Sequence, residues 1–417
     1  MNIAFDPAST RSSAPHASKV ENLSRRSILK GLGIAGSFVL ASPLLSRPSF
    51  AYETGASKMP HGVVVDPKIF VAIAPDGKVT ILAHRAEMGT GIRTSLPLVV
   101  AEEMEADWTR VTVQQAHGDE ARFGNQDTDG SRSTRHYLIP MRQIGACARF
   151  MLENAAAKKW GVARAEVKAV NHTVTHPATG RSLGFGDLAD AAAKEPVPAL
   201  TEITLKDPKD FKYLGKGTVS IVDLHDITTG AAHYGADIRL PGMKYAVIAR
   251  PPVTGGTLAS FDATDAMKVP GVEKVMEVKG WPWPSKFQPL GGVAVIARNT
   301  GAAIKGRDAL KIKWNDGANA SYDSAAFRTT LEAATRQPGL VVRKEGDADA
   351  ALKGADKVLV GEYYAPHLAH ASMEPPVAVA HVQGTRWRSG HPCKALAALA
   401  AMSPRPSESL RRTSPST

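Results

Sequence analysis

Residues 85–108 read RAEMGTGIRTSLPLVVAEEMEADW, and this stretch decides how the rest of the chain is read. Gly89 and Gly91, one residue apart, form a turn tight enough for a backbone to approach a ligand closely. The apolar residues Leu96, Val99, Val100 and Met104 then recur at helical spacing, so a helix follows the turn. Upstream, PKIFVAIAPDGKVTILAH holds two β-branched runs hinged on Asp76-Gly77, which predicts a hairpin. Downstream, RVTVQQA predicts a strand. Strand, glycine turn, helix and strand in that order point to a mixed α+β layer rather than an all-β or all-helical chain.

Working outward, residues 118–136 lack periodicity and are rich in turn formers, which predicts a long loop. A helix over 138–160 follows, with Pro140 in its first turn, Ile144, Cys147, Met151 and Ala155 on its apolar stripe, and Gly161 as its stop. On that stripe Cys147 reads as a small buried hydrophobe rather than a nucleophile. Residues 165–200 predict a hairpin and a short helix, and EITLKDPKDFKYLGK a connector. Strands and helices alternate from about 232 to 317, SYDSAAFRTTLEAATR predicts a helix, and KVLVGEYYAPHLAHASMEPPVAVAHV predicts a return to strands around a polar turn.

The chain has 417 residues, 43% hydrophobic and 22% charged, which is the balance of a globular protein with room for several domains. Its net charge of +11 is weighted towards the two ends, and no basic stripe with interleaved aromatics marks a nucleic-acid surface. Two cysteines, Cys147 and Cys393, exclude a disulfide framework and an iron–sulfur cluster held by this chain alone. Near the start, Ser24-Arg25-Arg26-Ser27-Ile28-Leu29-Lys30 precedes a modest apolar run and small residues ending near Ala51. That pattern predicts a twin-arginine export signal over residues 1–51, with the mature chain periplasmic or peripheral on the outer face of the inner membrane.

Two loops carry chemistry. The Gly89-Thr90-Gly91 turn can aim N–H groups at an anion, and it can equally be a plain tight turn. Gly130, Ser131, Ser133 and Thr134 precede a helix and are suited to holding a phosphate, as they would be to capping that helix in a solvated loop. His370 and Glu374 form a polar pair in a turn. A hydrolase built on His136 or His370 finds no nucleophile elbow to support it.

EMGTGIRTSLPLVVAEEMEADWTRVTVQQAHGD followed by GNQDTDGSRSTRHYLIPMRQIGACARFMLENAA resembles the molybdopterin-binding large subunit of the xanthine dehydrogenase/aldehyde oxidase family. The likeness is to its isoquinoline 1-oxidoreductase β-subunit and membrane-associated aldehyde dehydrogenase branch, and it runs from about residue 60 to 383. YGADIRLPGMKYAVIARPP and VPGVEKV resemble the family's small α/β hammerhead domain, and EYYAPHLAHASMEPPVAVA the opening of its main cofactor domain. The resemblance implies an α+β multidomain chain. A molybdopterin-binding portion would span 60–200, a connector 201–228, a hammerhead domain 229–318, and the start of the main molybdopterin domain 319–384. It also implies a molybdopterin-type molybdenum cofactor, with Gly89, Thr90 and Gly91 on its pterin side and Gly130, Ser131, Ser133 and Thr134 at its phosphate. His370 and Glu374 would lie at the substrate pocket. Relatives commonly carry Gln at the position of Thr90, and a hydroxyl lacks the amide's two-sided hydrogen bonding.

The activity implied is molybdenum-dependent hydroxylation of an N-heterocycle or oxidation of an aldehyde. Electrons would leave to a small [2Fe–2S] partner subunit and from there to a cytochrome c. Family chains also carry a late glutamate that serves as base; it has no counterpart here, so no catalytic residue is assigned. Residues 385–417 turn abruptly rich in Arg, Ser, Pro and Ala, which fits a single-base frameshift near Gly384 and a truncated, inactive chain. The alternative expectation is a non-catalytic exported fragment that binds the partner subunit or no ligand.

Overall fold

The computed structural model describes residues 65–383 except 119, 286, 287, 370 and 374, together with the backbone of Phe38–Val39 and Arg386–Gly390. The remainder of the expected export signal and nearly all of the tail, Cys393 included, lie outside the described residues. The chain divides into two units, one comprising residues 1–238 and 376–417 and the other Arg239–Pro375.

In the first unit the expected hairpin forms. Strands β1 (Val71–Ile73) and β2 (Val79–Ala83) pair antiparallel, Gly77 takes φ 83°, and Asp76 accepts the Lys78 amide at 3.0 Å. Phe38–Val39 pairs on the outer side of β1. Strand β3 (Val111–Gln115) lies parallel to β2, so the chain between them must cross over the sheet, and helix α1 (Ile92–Met104) makes that crossing. Leu96, Val99, Val100 and Met104 are all buried, as their spacing predicts.

Helix α2 runs over Arg132–Trp160, six residues longer at its start than the sequence suggests. Pro140 therefore sits in the interior of α2, where its missing N–H costs one helical hydrogen bond but does not end the helix. The loop before α2 is correspondingly shorter, and Glu120–Phe123 form one helical turn within the stretch expected to be irregular. Cys147 is buried, and burial pushes its thiol up to about 11, which leaves it an unreactive packing residue. The helices cross at Gly145, where a Cβ would come within 2.5 Å of the Val100 carbonyl oxygen and 2.7 Å of Glu103 Cβ. Only glycine permits that approach.

A three-stranded antiparallel sheet follows, β4 (Lys168–Val170), β5 (Thr173–His176) and β6 (Arg181–Gly184), then helix α3 (Phe185–Lys194). Phe185, Leu188, Ala189 and Ala192 of α3 close the same core as α1 and α2. The connector beyond residue 200 is pinned to α1. Glu102 accepts the amides of Lys212 and Tyr213 at 3.0 and 2.7 Å, Glu103 that of Lys206 at 3.0 Å, and the Lys206 ammonium bridges Glu102 and Glu105. Burial pushes Glu102 and Glu105 up, but the lysines and the donated hydrogen bonds outweigh it, and both carboxyls lie below the ordinary glutamate value.

The second unit holds a three-stranded antiparallel sheet in the order β9 (Val272–Gly280), β10 (Leu290–Ala297), β7 (Tyr245–Ala249). A two-stranded pair joins β8 (Thr257–Asp262) and β11 (Lys311–Asn315). Helix α4 (Thr300–Asp308) packs on β7 and β10, and the expected helix α5 spans Ser324–Ala334. Its buried apolar residues among those described are Ala266, Val293, Ala294, Val295, Ala297, Ala302 and Ala303, with Val247 and Val272 packed against the last three.

The strands expected over 357–382 form only in part. Val379–Gln383 (β12) pairs with Arg386–Gly390 (β13), so regular pairing runs past residue 385 into the stretch read as aberrant. Among the described residues, 357–369 form no strand and pair with none. Both units are mixed α/β, in agreement with a multidomain chain of that class. Among the described residues no helix is long and apolar enough to cross a membrane.

Candidate functional site

The exit of β2, just ahead of the glycine turn, is joined to the loop ahead of α2. Beyond Ala83 the chain continues as His84, Arg85 and Ala86, and hydrogen bonds stitch this exit to the loop ahead of α2. Ala86 N–H donates to the Gln126 carbonyl at 3.1 Å, Thr128 Oγ1 to the Ala86 carbonyl at 2.5 Å, and Gln126 Nε2 to the His84 carbonyl at 3.1 Å. Arg85 completes the join. Its side chain is 1% exposed, its Nε donates to Ser133 Oγ at 3.0 Å, its Nη1 donates to the Asn125 carbonyl at 2.6 Å, and the guanidinium lies 4.6 Å from the centre of the Tyr137 ring.

Burial lowers the Arg85 pKa, while Tyr137, Asp127 and Asp129 offset part of the shift. Nη2 is buried without a hydrogen-bond partner. A buried charged donor left unmatched is costly, so a further acceptor at this point would be welcome.

Thr90 and Gly91 donate their amides, but to an acceptor the sequence reading did not foresee. Glu87 Oε1 accepts the amides of Met88, Thr90 and Gly91 at 2.9, 2.7 and 3.1 Å, and Oε2 accepts that of Arg93 at 2.9 Å. The left-handed φ of 85° at Gly89 and 77° at Gly91 curls the backbone around this carboxylate. The anion at the N-terminus of α1 is thus the chain's own, in the place a capping side chain would take. On the outer side, a Cβ on Gly89 would meet nothing within 4 Å, so open space faces the turn there. On the other side Ile221 lies 3.2 Å from where a Cβ on Gly91 would stand, Val222 N–H donates to Thr94 Oγ1, and Arg93 pairs with Asp223 at 2.9 Å.

The second loop differs. Gly130 and Ser131 both take positive φ, and α2 begins without any side-chain cap. Ser131 and Thr134 are exposed, whereas Ser133 is buried and committed to Arg85. An uncapped helix N-terminus flanked by free-standing hydroxyls, next to a buried guanidinium with one unmatched donor, fits an anionic hydrogen-bonding group. At the glycine turn the amides already have an acceptor, so the residues suited to such a group are those of the second loop and Arg85.

His84 faces the opposite way, into the core, edge-on to Phe70 and Tyr137, and neither ring nitrogen has a hydrogen-bond partner. Desolvation, with a smaller contribution from Arg85, lowers its pKa to about 3, so it is neutral at physiological pH. His370 and Glu374 lie outside the described residues. Among the described residues no group of three His, Cys, Asp or Glu side chains is placed to hold a metal ion.

Arg85, Asn125, Gln126 and Glu87 were missed in the sequence. The available signal was Arg85 itself, a charge two residues past the apolar strand VTILA, where a buried partner has to be found.

Residues 17–231 match the molybdopterin cofactor-binding domain family. Over 385 residues the chain is 29% identical to a membrane-bound aldehyde dehydrogenase [pyrroloquinoline-quinone] of Gluconacetobacter polyoxogenes, covering 88% of this chain and 48% of that one. It is 31% identical to the β-subunit of the isoquinoline 1-oxidoreductase of Brevundimonas diminuta over 348 residues, 74% of this chain and 42% of that one. Similarity to a nicotinate dehydrogenase subunit of Pseudomonas putida reaches 28% over 324 residues, 75% of this chain and 26% of the other. The chain thus spans half or less of the length of these relatives.

Proposed function

The chain belongs to the molybdopterin cofactor-binding domain family, within the xanthine dehydrogenase/aldehyde oxidase superfamily, and from that premise we propose that it serves as cofactor-binding large-subunit polypeptide of a molybdenum hydroxylase. Its substrate class would be an N-heterocycle or an aldehyde. The observation that carries this reading is Arg85, just ahead of the glycine turn, tied to the second expected cofactor loop through Ser133 and Asn125, with an uncapped helix N-terminus beside it. Of the expected cofactor residues, Ser131 and Thr134 would hydrogen-bond an anionic group with their hydroxyls, the α2 amides would face it, and Ser133 would keep Arg85 in place. Gly89 would leave room for a flat ring system, because its outer side is open. When bound, the molybdenum cofactor supplies the oxygen transfer and takes up the two electrons. Neither Cys147 nor any other described group forms a cluster site, so the electrons would leave through a separate [2Fe–2S] subunit and a cytochrome c. Delivery by the twin-arginine route, to the periplasm or the outer face of the inner membrane, belongs to the same proposal.

The test is the metal and pterin content of the full chain purified from molybdenum-replete cells. Molybdenum and a fluorescent pterin oxidation product in equal amounts support the reading; a folded chain with neither overturns it. A second reading, a partner-binding chain without cofactor, is favoured by the Glu87 carboxylate filling the amides of the glycine turn. The same measurement separates the two.

A further inference from the structure

Val170 and Thr173 pair across a two-residue turn, Asn171-His172, in which both residues take positive φ, 45° and 71°. The second place of such a turn ordinarily goes to glycine, because a side chain is disfavoured there. Here it holds a histidine, and the ring shows what compensates. His172 is 2% exposed and stacks on Phe185, with ring centres 4.6 Å apart. Its Nδ1 accepts the Asp107 N–H at 3.1 Å, and its Nε2 lies 2.7 Å from the Gly77 carbonyl oxygen. A backbone N–H can only donate and a carbonyl can only accept, so the tautomer is fixed: Nε2 carries the proton and Nδ1 carries none. One neutral ring thus ties the β4–β5 turn to the β1–β2 turn, to the approach to β3 and to the start of α3. The backbone adds to the join, since His172 N–H donates to the Glu105 carbonyl at 2.6 Å and Phe185 N–H to the His172 carbonyl at 3.3 Å.

A proton added at Nδ1 would face the Asp107 N–H and turn a hydrogen bond into two opposed donors. The Asp107 carboxylate favours a charged ring, but it already accepts the Thr109 N–H and hydroxyl. Arg110 disfavours the charge, and its Nη2 is bound to the Asp76 carbonyl. Of the other charged groups on these elements, Asp76 pairs with Lys78, Glu105 with Lys206 and Lys212, and Asp187 of α3 accepts the Gly184 N–H. Burial is the largest influence and holds the ring below the ordinary histidine value, although the Gly77 bond and Asp107 act against it.

We propose that His172 is an acid-sensitive latch: when its Nδ1 takes a proton, the β4–β6 sheet and the start of α3 come away from the β1–β2 turn and Asp107. In the released segment the ring titrates at the ordinary histidine value, so each opening binds a proton that the closed form excludes. The open fraction is least above about pH 6.5 and rises as pH falls below it. Glu105 is shared between this turn, whose Asn171 N–H it accepts, and the two connector lysines, so release also loosens the connector at Lys206 and Lys212. The inference rests on the ring and its partners and not on cofactor loading.

The test is amide hydrogen exchange of the full chain at pH 7.5 and 5.5, expressed as protection relative to the unfolded-chain rate at each pH. Protection over residues 168–188 is expected to fall about tenfold between the two. At pH 5.5, residues 141–157 of α2 should stay about tenfold better protected than that segment. His172→Asn keeps an acceptor for the Asp107 N–H, tolerates positive φ and does not titrate, so the fall should shrink to less than about twofold. His172→Gly, the residue such a turn ordinarily takes, is a second variant that does not titrate and should behave alike. Equal protection of 168–188 at the two pH values overturns the proposal. So does a fall that persists undiminished in either variant, where His176, its Nε2 3.6 Å from Glu166, still titrates in the sheet. A fall that leaves 141–157 no better protected than 168–188 overturns it as well, because the opening is then global.

Discussion

Arg85 Nε and Ser133 Oγ, 48 residues apart in sequence, stand 3.0 Å from each other and join the end of a strand to the first turn of the longest helix. The bond fixes where one loop sits relative to the other, because Asn125 and Tyr137 hold the same guanidinium from two further sides. Replacing Arg85 with Met keeps much of the volume but strands the Ser133 hydroxyl and the Asn125 carbonyl. The expected cost is about 1–3 kcal/mol in urea unfolding, with loss of any bound pterin. Arg85→Lys should recover little, since an ammonium cannot reproduce the planar fork.

Glu87 gathers four amides on one carboxylate. Glu87→Ala should lower stability by roughly 1–3 kcal/mol and accelerate amide exchange at Thr90, Gly91 and Arg93. Glu87→Gln keeps one carbonyl oxygen and should fall between the two. Equal exchange in the wild type and the Ala variant would remove the carboxylate from this role.

His84 sets a pH dependence. Its folded pKa of about 3 lies below the 6.5 of an unperturbed histidine, so between those values the unfolded chain binds the extra proton. Stability is then fully present above about pH 6.5 and falls as pH drops, by up to about 1.4 kcal/mol per pH unit from this group alone. Urea midpoints at pH 7.5 and 5 should differ clearly for the wild type and much less for His84→Leu. The depressed carboxyls Glu102 and Glu105 act in the same direction at lower pH, as they too must take up protons.

At the helix crossing, Gly145→Val brings a branched side chain against the Val100 carbonyl oxygen, 2.5 Å from where even a Cβ would stand. Backbone cannot yield as a side-chain tip can, so α1 and α2 must separate. A loss of several kcal/mol or failure to fold is expected, by comparison with the 1–3 kcal/mol usual for overpacking a core. Gly161→Ala, at the exposed end of α2, should cost only about 1 kcal/mol from its positive φ.

Lys206 stands between Glu102, which is buried, and Glu105, which is partly buried and pairs with Lys212 as well. Lys206→Met leaves the two carboxylates facing each other without their shared cation. About 3–5 kcal/mol should be lost, and limited proteolysis should open first within 201–216.

Helix α1, the β1–β2 hairpin and strand β3 were legible because each is built from its own local period, 3.6 or 2, with Asp76-Gly77 marking the turn. The start of α2 was not, since Pro140 looks like a first-turn proline and the residues before it carry no apolar stripe; what holds them helical is Arg85 and Tyr137, from tertiary contact. Both candidate loops could be picked out from their glycines and hydroxyls, but not what fills the first of them: a glutamate two residues before a glycine has no pattern that distinguishes a ligand to the turn from a solvated charge. The strands expected at 357–369 failed for a different reason. Propensity marks residues that suit a sheet, and it carries no information on whether a neighbouring strand is at hand.

The connector is fastened to α1 at both ends, by Lys206 and Tyr213 at the C-terminal turn and by Val222 and Asp223 at the N-terminal one. Thirteen residues of helix make a rod of about 20 Å, and the connector lies along it as a splint. The run from Lys206 to Asp223 is thereby built into the framework of the first unit, however loose a link it looks when written as sequence.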